Sequence, residues 1–204
     1  MSKLKKYKMF IDGEWVDSES KKTFKTLNPE TNEPWAEVPE ANEKDIDKAV
    51  KAAQKAFEGS WPSLFPRERA SYLRAIANEL RENAELLGKI ETIDTGKLFK
   101  ETKNQANYIA EYYDYYAGLA DKVEGTVLPI DKANMQVITT RVPIGVVAAI
   151  IPWNSQMLLT AVKLAPALAM GNTVVIKSSE LAPATLFEFG KLIEKTKIPK
   201  GVVN

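Results

Sequence analysis

The fold is decided by the stretch GVVAAIIPWNS at residues 145–155 and the stretch TVVIKSSE at residues 173–180. Each begins as an apolar run rich in β-branched residues, and the first, at 145–151, is typical of a strand buried on both faces of a parallel sheet. Helical spacing follows the first run, and Gly171 ends that helix before the second run begins. A further helix begins near Pro183, and residues 201–203 open a third strand. Strand, helix, strand, helix, strand predicts an α/β fold with a Rossmann-like parallel sheet.

Four amphipathic helices are predicted upstream of this sheet. Their ends are marked by a cap at Asn42, a stop at Gly59, a start at Pro66, a cap at Asn83 and a stop at Gly96. The fourth helix is predicted over Glu101–Lys122, and we expect its tyrosine cluster to pack against neighbouring elements rather than to form a ligand platform.

Short β elements flank the helices. The first is a hairpin around Asp12-Gly13, and the lysine-rich segment before it, 1–8, is expected to be solvated and frayed. A turn is predicted at 28–31. Two strands over 126–130 and 136–142 form a second hairpin, whose open edge favours pairing with another chain. The predicted organisation is therefore a helical part at 1–123, a hairpin arm at 124–142 and the start of the parallel sheet at 143–204.

The composition excludes several classes of function. A net charge of +1 gives no argument for binding nucleic acid. The chain lacks cysteine and histidine, which excludes a disulfide framework, a thiolate metal site and an imidazole base, so we predict no metal site. The apolar region at 142–171 is broken by prolines and a lysine, so we predict no membrane span. No apolar segment follows the first lysines, so no signal peptide is expected and a cytoplasmic location is predicted.

Polar side chains follow both apolar strands where each strand ends. Ligands of open parallel sheets bind beyond the carboxyl ends of strands, so Asn154, Lys177 and Glu180 are candidates to face a ligand. Taken alone, the asparagine is also typical of a helix N-cap, and the lysine and glutamate are typical of a solvated turn. The chain contains no Gly-x-Gly-x-x-Gly turn for a phosphate.

Several blocks of the sequence, in order along the chain, resemble the aldehyde dehydrogenase superfamily. The blocks with the closest match are RVPIGV at 141–146, IPWN at 151–154, KLAPAL at 163–168, GNTVVIK at 171–177 and GVVN at 201–204. Segments at 11–15, 28–29, 47–57 and 94–97 fit as well. The resemblance implies an amino-terminal portion of this NAD(P)-dependent fold, in which the helical layer and hairpin arm lead into an incomplete sheet without the catalytic domain.

The resemblance also implies roles for individual residues. Asn154 matches the asparagine that donates its side-chain amide to the substrate oxygen, and Lys163 matches a lysine near the active site. A solvated helix lysine with a packed stem is an equal alternative for Lys163. Lys177 and Glu180 match the residues that hold the adenosine ribose, and Ser179 belongs to the same loop. A carboxylate repels a 2′-phosphate, which favours NAD over NADP. The residues that resemble the lining of the cofactor cleft are Ile151, Pro152 and Trp153.

The resemblance implies an expected function. The family oxidises an aldehyde to an acid, and its hairpin arm builds homo-oligomers. Ser155 and Gln156 stand where the family often has an aromatic residue and a proline, which puts the substrate class in doubt. The family's phosphate turn, general-base glutamate and nucleophilic cysteine are expected beyond Asn204, so the chain alone is expected to be inactive. Two alternatives stay open: a non-catalytic fragment that acts by pairing with another chain, and a relative that forms acyl-CoA.

Overall fold

The computed structural model describes residues 4–204 as a mixed α/β structure. The strands are β1 (Lys5–Lys6), β2 (Met9–Ile11), β3 (Glu14–Val16), β4 (Thr23–Asn28), β5 (Glu33–Pro39), β6 (Val127–Leu128), β7 (Val137–Ile138), β8 (Val146–Ile150) and β9 (Thr173–Lys177). The helices are α1 (Glu43–Glu58), α2 (Pro66–Glu82), α3 (Ala84–Thr95), α4 (Phe99–Leu119), α5 (Gln156–Ala169) and α6 (Ala184–Lys195). Among these residues, no helix is both long enough and apolar enough to cross a bilayer.

The amino-terminal strands form two small sheets. β2 and β3 are the predicted hairpin, and Asp12 and Gly13 carry the positive φ angles of 52° and 72° that its two-residue turn requires. β4 and β5 form an antiparallel pair that the sequence did not reveal beyond its turn. β1 adds to β5 in parallel. The prediction of a frayed start was therefore wrong for Lys5 and Lys6, while Met1–Lys3 lie outside the described residues.

The helix boundaries follow the local signals in most places. The Asn42 side chain caps α1 by accepting from the Asp45 N–H, and the Asp45 carboxylate accepts from the Asn42 backbone N–H, which completes a capping box. Pro66 begins α2, and Gly96 ends α3 at φ 76°. The predicted cap at Asn83 was wrong in its chemistry, because that side chain donates to the Glu79 carbonyl of the preceding helix instead of accepting from α3.

One hydrophobic core joins the helical layer to the parallel sheet. Trp61, Tyr113 and Leu164 are fully buried in it, and they come from three different parts of the chain. Buried hydrogen bonds connect the same layers: the Trp61 indole donates to the Asn172 carbonyl at 3.0 Å, and the Thr173 hydroxyl donates to the Ala53 carbonyl at 3.0 Å. The buried Tyr113 confirms that the tyrosine-rich helix packs inward, although its neighbour Tyr115 is exposed.

The parallel pair β8 and β9 is the predicted β-α-β unit, with α5 as its crossover. Val203 extends the sheet through a parallel bridge to Val174. The prediction that β8 is buried on both faces was wrong, because Ala149 is buried whereas Ile150 on the opposite face is 70% exposed. In residues 4–204 no other strand pairs with the outer edge of β8.

The hairpin arm is much shorter in strand structure than the sequence predicted. β6 and β7 make two register pairs, Val127 with Ile138 and Leu128 with Val137. The Thr126 and Thr139 hydroxyls lie 2.7 Å apart beside them. Val127 and Ile138 are more than 60% exposed, so no core packs against the arm to extend its pairing.

Candidate functional site

The carboxyl ends of β8 and β9 lie side by side. Ile150 is the register partner of Lys177, and the Ile151 N–H donates to the Lys177 carbonyl at 3.0 Å. The loop at 152–155 and the loop at 178–180 therefore leave the sheet from the same edge. This adjacency brings together the two sets of candidate residues that the sequence placed after separate strands.

The loop after β8 presents polar and aromatic groups to the exterior. Ile151 is buried, whereas Pro152, Trp153 and Asn154 are exposed. The N-cap position of α5 is held by Ser155, so the interpretation of Asn154 as a helix cap was wrong. Within the described residues the Asn154 side chain makes no hydrogen bond, which leaves its amide available to a ligand.

A lysine from a distant part of the chain holds the end of this loop. The Lys97 ammonium donates to the Ser155 hydroxyl, although the two residues are 58 positions apart. Its Nζ also lies 3.8 Å from a carboxylate oxygen of Glu91, which is 1% exposed. Burial raises the pKa of Glu91 to about 6, and the positive charge of Lys97 acts in the opposite direction. The sequence offered Lys97 only as part of the block at 94–97.

A second buried carboxylate fixes the segment that follows the loop after β9. Asp94 accepts hydrogen bonds from the Thr26 hydroxyl at 3.0 Å and from the Ala184 N–H at 2.7 Å. Burial raises the pKa of Asp94 to about 6, and these hydrogen bonds moderate the rise. Asp94 therefore ties β4, the end of α3 and the start of α6 together just beyond the candidate site.

The loop after β9 differs from the first in its exposure. Lys177 and Glu180 form an ion pair at 3.0 Å, with side chains that are 59% and 68% exposed. A hydrogen bond from its own backbone N–H, and then the contact with Lys177, hold the pKa of Glu180 below its usual value. Ser179 is buried, and its hydroxyl accepts from the Leu181 N–H at 3.2 Å. Lys177 and Glu180 thus face outward while Ser179 shapes the turn.

Lys163 lies on α5, two helical turns beyond Ser155. Its ammonium donates to the Leu159 carbonyl of the same helix at 3.3 Å, and the residue is half-buried. A packed stem and a polar head on one helix fit either of the two roles that its position suggested.

Two cavities among residues 4–204 lie away from the strand ends, and one is larger than the other. The larger of the two has a volume of about 340 Å³ and lies between the first hairpin and residues 193–203, where Phe10, Ile193 and Pro199 line it. A smaller one of about 150 Å³ is lined by Arg69 and Arg141 among others. The candidate site is therefore the exposed surface formed by the two loops at the sheet edge.

At one edge of the sheet, an exposed amide on one loop and a lysine–glutamate pair on the next thus lie at the ends of neighbouring parallel strands of an α/β chain. The sequence pattern of the family described as "Aldehyde dehydrogenase family" matches residues 15–204. The chain therefore belongs to the aldehyde dehydrogenase family, as the resemblance indicated.

Relatives and solved structures agree with this membership. The chain is 48% identical, over 98% of its length and 41% of the relative, to a (Z)-2-((N-methylformamido)methylene)-5-hydroxybutyrolactone dehydrogenase of Acinetobacter baylyi. It is 43% identical, over 96% of its length and 40% of the relative, to a betaine aldehyde dehydrogenase of Bacillus subtilis.

Solved structures match it equally well. A mutant of an aldehyde dehydrogenase from Bacillus cereus superposes with a TM-score of 0.95 at 40% identity, covering 98% of this chain and 41% of that one. A point mutant of a betaine aldehyde dehydrogenase from Staphylococcus aureus, solved in complex with NAD+, gives a TM-score of 0.93 at 38% identity, covering 97% and 40%. The chain thus spans about 40% of the length of the relatives it matches.

Proposed function

We propose that this chain is the amino-terminal portion of an enzyme that oxidises an aldehyde to a carboxylic acid while NAD(P)+ is reduced to NAD(P)H. The observation that supports this function most directly is the pairing of Ile150 with Lys177, which gathers Asn154, Lys177 and Glu180 at one edge of the sheet. Family membership supplies the reaction class.

The residues at this edge fit the adenosine end of a dinucleotide. Lys177 offers ammonium donors and Glu180 offers carboxylate acceptors, and both are exposed with only each other as ion-pair partners in the described chain. A carboxylate can accept from both ribose hydroxyls but repels a 2′-phosphate, so NAD is favoured over NADP. The Staphylococcus relative was solved with NAD+. Ile151, Pro152 and Trp153 would line the cleft beside it, and Ser179 would act by shaping the turn.

Asn154 would contribute the transition-state contact from this chain. The bound nicotinamide supplies the hydride acceptor. When a thiolate adds to the aldehyde, negative charge develops on the carbonyl oxygen, and the exposed Asn154 amide can donate to that oxygen. One such donor is worth about 3 kcal/mol where it has been removed from enzymes. The 204 residues contain no cysteine, so the thiolate has to come from outside them. Lys163 remains a second, weaker candidate for a residue near the reacting groups.

The proposed organisation keeps the three parts inferred from the sequence: helices at 1–123, the hairpin arm at 124–142 and the beginning of a Rossmann-like nucleotide-binding sheet at 143–204. The arm is proposed to mediate homo-oligomer formation, because Val127, Leu128 and Ile138 are 64%, 44% and 62% exposed. The cytoplasmic location, and the expectation that neither nucleic acid nor a membrane is a partner, stay predictions.

A non-catalytic role through pairing with another chain is the second candidate, and the exposed hydrophobic residues of the arm favour it. One assay separates the two. Residues 1–204 and a full-length enzyme that carries them are each mixed with NAD+ and a panel of aldehydes, and NADH is followed by absorbance. We expect turnover from the full-length enzyme only. A full-length enzyme that binds NAD+ without oxidising any aldehyde would contradict the proposed reaction and support the pairing role.

A further inference from the structure

The loop that carries Asn154 is suspended between two anchors. At one end, the N–H of the buried Ile151 donates to the Lys177 carbonyl at 3.0 Å. At the other end, Ser155 accepts from the Lys97 ammonium. The Asn154 side chain makes no hydrogen bond to any residue in 4–204, so no side-chain contact of its own fixes it, and the anchors at Ile151 and Ser155 restrain the loop that carries it.

The anchor at Ser155 replaces an ordinary helix cap. Ser155 occupies the N-cap position of α5, but its hydroxyl makes no capping bond to the helix and faces Lys97 instead. A serine at this position normally accepts from the first helical N–H groups. The geometry therefore uses this hydroxyl to join the loop to another layer of the structure.

Lys97 is itself held in place. Gly96 turns the chain at φ 76° directly after α3, which directs the next residue away from the helix axis. The Lys97 side chain is 29% exposed, and the buried carboxylate of Glu91 lies 3.8 Å from its Nζ. A buried carboxylate restrains the cation beside it, because moving the cation away would leave the carboxylate uncompensated.

We propose that Lys97 is a positioning residue for Asn154, which it holds at the sheet edge by tying Ser155 to the end of α3. The proposal rests on the proposed function for its catalytic consequence. Lys97 need not touch the substrate, because it holds Ser155, which is the residue next to Asn154 in the chain. Substrate-positioning errors of about 1 Å can lower rates by about 10²-fold, so a loosened loop has a measurable effect.

The kinetic experiment uses a full-length enzyme that carries this chain. We expect Lys97→Met to lower kcat by about tenfold to a hundredfold while the KM for NAD+ changes little. Lys97→Arg, which keeps a donor and the charge, should recover most of the activity. Ser155→Ala removes the acceptor but keeps the buried ion pair, so it should reproduce the loss even if Lys97→Met folds poorly. In an Asn154→Ala background, Lys97→Met should have less than about a twofold effect.

A second readout does not depend on activity. Hydrogen exchange at the amides of 153–156 should become about tenfold faster in Lys97→Met and in Ser155→Ala. The matched control is Lys89→Met, because Lys89 lies on α3 close to Lys97 in sequence but pairs with the exposed Glu85. Unchanged exchange in both loop variants would overturn the proposal. So would an active enzyme in which Lys97→Met and Lys89→Met behave alike. An inactive parent with faster exchange in the two loop variants would contradict the proposed function and leave the positioning role supported.

Discussion

The two loops at the sheet edge are held in different ways. The loop after β8 is anchored at Ser155 by a lysine from the helical layer, and behind that lysine lies a buried carboxylate. The loop after β9 carries Lys177 and Glu180 on side chains that are more than half exposed and pair with each other. The two loops follow adjacent strands, so the backbone places them at the same edge of the sheet.

The difference fits the two tasks proposed for them. An amide that must meet one oxygen during a reaction gains from a fixed position, because its hydrogen bond is needed only in one geometry. A lysine and a glutamate that close on a ribose can exchange one partner for another without rebuilding the fold. The comparison therefore predicts large kinetic effects from the first loop and modest binding effects from the second.

The largest effect is expected at Asn154. In a full-length enzyme, Asn154→Ala should lower kcat by about 10²- to 10³-fold, since one oxyanion donor is lost. The dissociation constant for NAD+ should stay within about twofold, which a fluorescence titration would measure. Asn107→Ala, at an exposed position on α4, is the matched control. Equal losses in kcat and cofactor affinity would instead make Asn154 a structural residue.

A smaller effect, on the pH dependence of stability, is expected from the buried carboxylate of Glu91 beside Lys97. The pKa of Glu91 is raised to about 6 from an ordinary value of 4.5. The folded protein therefore holds this proton more tightly than the unfolded chain, and the stability it contributes is lost as pH rises from about 4.5 through 6. Glu91→Gln removes that loss.

Urea unfolding at pH 4.5 and pH 8 measures this contribution. Between these values the variant should gain about 2 kcal/mol of unfolding free energy relative to the parent. Glu85→Gln is the control, because Lys89 lowers the pKa of the exposed Glu85. The contribution of Glu85 to stability is therefore lost mainly below pH 4.5, and its variant should follow the parent between pH 4.5 and pH 8. A Glu91→Gln variant that follows the parent at both pH values would show that Glu91 titrates normally.

The second loop should affect binding about tenfold. Glu180→Ala in the full-length enzyme should weaken NAD+ binding by about that factor, because the acceptor for the ribose hydroxyls is lost. The same change should weaken NADP+ binding less or improve it, since the carboxylate no longer repels a 2′-phosphate. Parallel titrations with both dinucleotides give the ratio, and an unchanged ratio would remove Glu180 from the ribose site.

The smallest effect is expected on stability from the same loop. Lys177→Ala removes an exposed ion pair, and such pairs contribute little, so the melting temperature should move by less than about 2 °C. Thermal unfolding followed by circular dichroism would detect a larger shift. A loss well beyond that limit would mean that the Lys177–Glu180 pair supports the fold rather than a ligand.

Local signals explain how much of the fold the sequence revealed. Asn42 with Asp45, Pro66 and Gly96 each act within a few residues of a helix end, and the structure confirms the boundaries that they mark. The strands β8 and β9 could be predicted equally well, since their continuous apolar, β-branched pattern does not depend on distant partners.

Features that depend on tertiary partners were missed or predicted wrongly. The exposed face of β8 reflects which elements cover a strand, and the sequence of that strand does not contain this information. Lys5 and Lys6 form a strand because β5 offers a free edge, and Lys5 reaches the buried Glu188 at 2.6 Å. The strands of the arm were predicted too long. Their threonine- and valine-rich pattern favours strand structure, but no core packs against the arm to extend the pairing.

The candidate site shows the same division. The resemblance supplied Asn154, Lys177 and Glu180, and the strand pairing shows that they share one edge. The Lys97–Ser155 contact joins residues 58 positions apart, so no local spacing could predict it. The departure at Ser155 was visible in the sequence, but its partner became known only from the fold.

Hydrogen exchange of a full-length enzyme, with and without saturating NAD+, tests the shared edge most directly. We expect slower exchange in two peptides at once, one over 151–156 and one over 177–182. Slower exchange in only one of them, or around the cavity lined by Phe10 and Pro199, would contradict a cofactor site shared by the two loops.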